Sequence, residues 1–271
     1  KASLIAGGTD LMLEVTQRYQ HFERLIDVSR VMELRSITET QDTYCIGASV
    51  TYTELERFFA QRSQSLVSLL HRLGSRQIRN CGTIGGNLAN GSPIADMPPV
   101  LICWGATVEL CTSSGQTRGV SINEFYRGYR QTVLQADEYI AGIRIPKRSL
   151  DSFARFYKSS KRIEDDISSV MGAFLFQGDG SKITAARIAF GGMAATPVSL
   201  PGIEDILVGK TINKRLLSEV GEAIGEMMSP MTDVRASAEY RAAMARSMLE
   251  RALNEFSGVS TPLVMELKLH A

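Results

Sequence analysis

The chain has 271 residues, enough for one large domain or two ordinary ones. Hydrophobic residues make up 44% and charged residues 22%, ordinary globular values, and the formal net charge is +1. That balance gives no broad field to attract nucleic acid or an anionic membrane, no apolar run is long enough for a span, and no charged-then-apolar leader marks export. The first residue is Lys1, and "ASLIAGG" reads as a strand already entering its loop, which predicts a piece of a longer chain.

Taken in order, the apolar run at 4–6 ends in Gly-Gly and reads as a strand feeding a turn. "RLIDVS" (24–29) and "TYCIGAS" (43–49) are short strands. "TYTELERFFAQRS" has Thr51 and Thr53 as caps and Glu54 and Glu56 in its first turn, and predicts a helix. "SLVSLLHRLGSRQI" (65–78) places Leu66, Leu69, Leu70 and Leu73 at helical spacing, with Gly74 as a stop. "NCGTIGGNLANGSPIADMPP" (80–99), rich in glycine and proline, predicts a long irregular loop, and "MPPVLICWGA" starts a buried segment. "ATVELCTSSGQTRGVSI" is a hairpin, and "EYIAGIRIP" (138–146) alternates as a strand. After a connector at 146–152 come strands in "FARFYKSS", "SSVMGAFLFQ" and "KITAARIAFGG", the last two joined by a "GDGS" turn. Helices are predicted over 213–229 and 235–257, parted by Pro230. The pattern is α+β: a mixed α/β unit, then three antiparallel strands packed with a helix pair.

Cys45, Cys81, Cys103 and Cys111 are too far apart for a metal clip, and the only histidines are His21, His71 and His270. This predicts no metal site within the chain and thiols kept in a reducing, cytoplasmic compartment. No G-x-G-x-x-G follows a strand, and "GKT" at 209–211 lacks the glycine that a P-loop needs at position 204, where Glu204 stands. No G-x-S-x-G accompanies a serine, and three histidines give little general-base capacity, so the chemistry is expected from a bound cofactor. "AGGTDL" and "TIGGNL" each set Gly-Gly beside a threonine hydroxyl and a short polar side chain. Glycine lets backbone N–H groups approach an anion closely, so two such loops would clamp a diphosphate.

"LIAGGTDLMLEV", followed by "GSRQIRNCGTIGGNLANGSPIADMPPVL", resembles the FAD-binding portion of the xanthine dehydrogenase family. "KSSKRIEDDISSVMGAF" and "IAFGGMAATP" extend the likeness into that family's flavoprotein C-terminal domain. The resemblance is to the FAD-binding part of the bacterial small subunit. It implies a two-loop FAD-binding domain of the PCMH type over 1–148, truncated at its N-terminus. A C-terminal domain of a three-stranded antiparallel sheet packed with helices then covers 150–260.

The resemblance also implies site residues. Leu4, Ile5, Ala6, Gly7, Gly8, Thr9, Asp10 and Leu11 would form the first FAD loop, and Thr83, Ile84, Gly85, Gly86 and Asn87 the second. Leu73 would line the pocket, Asp96 would hydrogen-bond the cofactor, and Ile140 and Lys158 would contact it from either side of the connector. In "KRIEDDI", Asp165, with Arg162 nearby, would lie toward the nicotinamide of an NAD⁺ acceptor. The iron–sulfur (2Fe–2S) clusters would belong to a missing N-terminal domain, and molybdopterin to a large partner subunit in a hetero-oligomer. The implied function is electron transfer from those clusters through FAD to NAD⁺ during xanthine or hypoxanthine oxidation. Two alternatives stay open: a flavin subunit of an aldehyde- or carbon monoxide-oxidising complex with another acceptor, and a nucleotide-binding or assembly module without redox chemistry.

Overall fold

The computed structural model describes residues 2–261. Strand β1 (Ala2–Ile5) pairs in parallel with β2 (Arg24–Asp27), and helix α1 (Leu11–Arg18) is the crossover between them. A single turn, α2 (Met32–Arg35), leads to β3 (Ile37–Glu39) and β4 (Thr43–Gly47). Helix α3 (Tyr52–Phe59) starts where expected because Thr51 and Glu54 form a reciprocal capping box.

The expected helix over 65–78 is two. Gly74 adopts a φ of +62°, which ends the apolar turns of α4 (Gln64–Leu70) and lets Ser75 cap α5 (Arg76–Cys81). The predicted loop over 80–99 is largely helical as well. Thr83 accepts from the Gly86 amide and caps α6 (Ile84–Ala89), whose Ile84 and Leu88 are buried. Pro98 and Pro99 lie in the first turn of α7 (Met97–Trp104), where their missing N–H groups cost nothing. Composition could not reveal this, because capping and core packing outweigh the poor propensity of glycine.

The hairpin forms as β5 (Thr107–Thr112) and β6 (Thr117–Ser121). A short turn α8 (Ile122–Phe125) and a ribbon of β7 (Tyr126–Gly128) and β8 (Gln131–Thr132) follow, before β9 (Glu138–Pro146). Strand β9 occupies the centre of an antiparallel sheet of order β3-β4-β9-β5-β6.

A 3₁₀ turn at Lys147–Ser149 leads to β10 (Phe153–Ser159), β11 (Val170–Gly178) and β12 (Ile183–Gly191). The expected three-stranded sheet has a fourth strand, β13 (Val198–Ser199), pairing with β12. Two residues are too few to show a period of two. Helices α9 (Pro201–Leu207), α10 (Lys214–Met227) and α11 (Ala238–Phe256) complete the fold, and α9 is an addition to the expected pair.

Helix α7 explains how the two sheets meet. All eight of its residues are buried. It packs against β11 and β12, while α9 and α11 cover the opposite face of the same sheet. Strand β11 is therefore buried on both sides. Met171, Ala173 and Leu175 join the first core, and Val170, Phe174 and Phe176 join the second. This is why "VMGAFLF" is continuously apolar rather than alternating.

Candidate functional site

The first glycine turn leaves β1 at Ile5 and reaches α1 at Leu11. Gly8 has a φ of +68°, in the left-handed region that favours glycine. A Cβ on Gly7 would overlap the Cys81 carbonyl oxygen, so the first turn packs directly on the end of α5. Among the described residues, the amides of Gly7, Gly8, Thr9 and Asp10 donate to no protein acceptor. Four adjacent N–H groups are thus free to meet an anion.

The second turn is built differently. Ile84 N donates to Val50 O at 3.1 Å, Gly85 N to Ala48 O at 2.8 Å, and Asn87 N to Thr83 O at 3.1 Å. Gly86 N donates to Thr83 Oγ1 at 3.2 Å. The shared clamp expected of both loops is corrected: these amides are used up in starting α6. What the second turn offers is a face without Cβ atoms. A Cβ on Gly86 would have only Thr83 Oγ1 near it, at 2.9 Å, whereas one on Gly85 would strike the Ala48 Cβ at 2.5 Å.

Between the turns runs a cleft of ≈ 770 Å³, bounded also by residues of the second sheet and its loops. Leu4, Ile5, Ala6, Gly7, Gly8, Thr9, Asp10 and Leu11 all line it, with Leu73, Thr83, Gly86, Asn87, Asp96, Lys158 and Asp165. Four expected residues do not. Ile84 and Ile140 are buried in the core beneath, and Gly85 packs on Ala48. Arg162 turns back on its own loop, donating to the Asp165 carbonyl.

Tyr52, Ile78, Arg130, Asp166 and Ser168 also line the cleft and were not anticipated. Tyr52 was hidden inside a capping box, and Arg130 in a ribbon with no motif of its own. Ser168 had a signal, since it follows "KRIEDDI" directly.

Polar groups join the two sheets across the cleft. Lys158 Nζ donates to Asp96 Oδ2 at 2.7 Å, with side chains only 3% and 8% exposed. Ser168 Oγ donates to Asp96 Oδ1, so both carboxylate oxygens are engaged. Arg72 donates to the Lys158 carbonyl at 2.8 Å and to Ser160 Oγ at 2.9 Å. Asp165, at a φ of +47°, accepts from the Ser75 amide at 2.6 Å and so caps α5 from the other side of the cleft. The Arg162 amide donates to Asp166 at 2.8 Å and holds that carboxyl below its usual range.

Two side-chain oxygens of cleft residues are buried without a partner among the described residues: Tyr52 Oη and Asn87 Oδ1. A buried donor and a buried acceptor at one cleft are groups that a polar ligand completes. With the free amides, the open face at Gly86 and the apolar walls of Leu73 and Ile78, the residues fit a large, partly anionic dinucleotide such as FAD.

The protein-family model for the FAD binding domain in molybdopterin dehydrogenase matches residues 1–148. That for the CO dehydrogenase flavoprotein C-terminal domain matches residues 155–256. The carbon monoxide dehydrogenase medium chain of Hydrogenophaga pseudoflava is 32% identical, over 93% of this chain and 88% of that one. The xanthine dehydrogenase of Drosophila subobscura is 30% identical over 93% of this chain, which spans only 20% of that relative's length. The solved structure of reconstituted CO dehydrogenase from Oligotropha carboxidovorans superposes with a TM-score of 0.88 at 30% identity, covering 96% of this chain and 91% of that one. The chain therefore belongs to the family of FAD-binding domains of molybdopterin dehydrogenases, here followed by a CO dehydrogenase flavoprotein C-terminal domain.

Proposed function

We propose that this chain is the FAD-carrying electron-transfer module of a molybdenum hydroxylase complex. It receives electrons from iron–sulfur clusters on another domain and delivers them to NAD⁺, in a complex that oxidises xanthine or hypoxanthine in the cytoplasm. Molybdopterin belongs to a large partner subunit of that hetero-oligomer. One observation carries the reading: a turn with four free amides, packed on the end of α5, shares a cleft with the glycine face of α6 and with two unpartnered side-chain oxygens.

FAD, when bound, supplies the redox chemistry by taking up and releasing two electrons. The protein's part is placement. The amides of Gly7 to Asp10 bind the pyrophosphate, and Gly86 lets it lie close. Asn87 and Thr83 contribute side-chain hydrogen bonds, while Leu73 and Ile78 exclude water from one wall. Asp96, held by Lys158 and Ser168, fixes the boundary between the sheets and shapes the ring end. Asp165 orients the nicotinamide of the acceptor, and Arg162 acts only by holding that loop.

A second reading has an observation in its favour, the 32% identity to a carbon monoxide dehydrogenase medium chain. In it the same module serves an aldehyde- or carbon monoxide-oxidising complex and a different acceptor. Flavin absorbance of the purified chain tests the shared part: a yellow protein releasing FAD on denaturation is expected, and a colourless one that takes up no added FAD would overturn it. Rapid mixing with NADH then separates the readings. Bleaching of the flavin supports NAD⁺ as the acceptor, and an unreactive flavin supports the alternative.

A further inference from the structure

We propose that the Tyr52 phenol is a positioning residue that donates a hydrogen bond to an oxygen acceptor of the bound flavin dinucleotide. The inference rests on the FAD reading above and assigns a residue that neither the glycine turns nor the family resemblance singled out.

Tyr52 is the first residue of α3 and is only 3% exposed, yet it forms part of the cleft wall. Its backbone is fixed on both sides. The Thr51 capping box sets the helix start, and Tyr52 N donates to Gly82 O at 3.0 Å. The ring passes beneath Gly82, where an added Cβ would come within 3.2 Å of the ring edge. Gly82 adjoins the Cys81 carbonyl on which Gly7 packs. The phenol thus stands under the junction of the two turns.

Its oxygen has no hydrogen-bond partner among the described residues. Phenylalanine would fill the same space without burying a hydroxyl, so packing does not account for a tyrosine here. Asp96, whose charge acts on the phenol, is held by Lys158 and Ser168 and makes no hydrogen bond with it. Burial raises the phenol well above its ordinary range, with the Asp96 charge adding to the effect. The group stays protonated and remains a donor. The flavin dinucleotide offers two kinds of acceptor here: pyrophosphate oxygens and the oxygens of the ring and ribityl chain.

The test compares the full chain with Tyr52→Phe, each freed of flavin and titrated with FAD, ADP and riboflavin, alongside thermal melts without ligand. The expected result is an FAD dissociation constant raised about tenfold, with no fall in the melting temperature of the ligand-free variant, since the hydroxyl loses no protein partner. Weakened ADP binding places the acceptor on the pyrophosphate, and weakened riboflavin binding places it on the ring or ribityl chain. Unchanged FAD affinity in Tyr52→Phe, beside a parent that binds FAD, overturns this inference alone. A variant that melts lower or does not fold assigns the hydroxyl a structural partner and also overturns it. A parent that binds no FAD overturns the FAD reading and this inference with it.

Discussion

A side chain at Gly85 would meet the Ala48 Cβ at 2.5 Å, while one at Gly86 would meet only the Thr83 hydroxyl, at 2.9 Å. Neighbouring glycines are thus held by different constraints, and substitution separates them. Gly85→Val forces a side chain into packed core and should destabilise the fold by about 1–3 kcal/mol in chemical denaturation. Gly86→Val projects into the cleft. It should abolish flavin uptake while the far-ultraviolet circular dichroism stays nearly unchanged, and full flavin occupancy would show that the cofactor does not lie on α6. Asp165 is a different case, because its carboxylate already caps the Ser75 amide. Its second oxygen accepts no hydrogen bond among the described residues, and the proposed function gives it a nicotinamide amide to meet. A charge-assisted hydrogen bond contributes about 1.5–3 kcal/mol, so Asp165→Ala should slow flavin reduction by NADH roughly ten- to a hundredfold. FAD content and reduction by dithionite should not change. An unaltered NADH rate would leave Asp165 as a helix cap that ties the two halves together.

Elements were legible in the sequence where one face is wet. The β5–β6 hairpin and β9 show alternation that only a half-buried strand requires, and β9 runs over the residues the pattern marked. The first glycine segment was legible as a turn, and both glycine segments line one cleft, as their shared composition suggested. Helix α6 was not, because six residues with two glycines carry no helical period, and Thr83 and the Ala48 contact hold it in place. Nor was the partition of amides between the turns, which depends on what lies opposite in space. The edge of the first sheet carries an acid-sensitive contact of its own. Arg118 Nε and one terminal nitrogen donate to Glu138 at 2.6 and 2.7 Å, joining β6 to the start of β9, and the Gln135 amide adds a bond at 2.9 Å. The Arg118 guanidinium, with that amide, lowers the Glu138 carboxyl from 4.5 to about 2. A carboxyl with a depressed folded-state pKa stabilises the fold above its unfolded value and loses that contribution as pH falls. The loss should run from about pH 4.5 to about pH 2. Glu138→Gln should be less stable than the parent at pH 7, with the gap closing through that window when unfolding is measured at both ends.

At the scale of the whole molecule, the cleft exists because two sheets share α7 and are tied across its mouth. The ties are Lys158 to Asp96, Arg72 to the Lys158 carbonyl, Asp165 to the Ser75 amide, and the Gly192 amide to the Pro93 carbonyl at 2.8 Å. Only the first is an ion pair shut away from water. Such a pair is a poor source of net stability, since desolvation offsets most of its attraction, but either partner left alone is costly. Lys158→Met leaves the Asp96 carboxylate buried with Ser168 as its remaining donor, and should cost about 3–5 kcal/mol in chemical denaturation. Combining it with Asp96→Asn removes the stranded charge, so the double variant should recover most of that loss. Because the pair borders the cofactor cleft, stability and binding should then part company. The double variant is expected to unfold near the parent's denaturant midpoint without flavin, yet to gain less from added FAD, since a wall of the cleft has lost its fixed charges. A double variant as unstable as Lys158→Met alone would mean that the pair holds the sheets together by attraction. An undiminished gain from FAD would mean that the ion pair takes no part in the cofactor site.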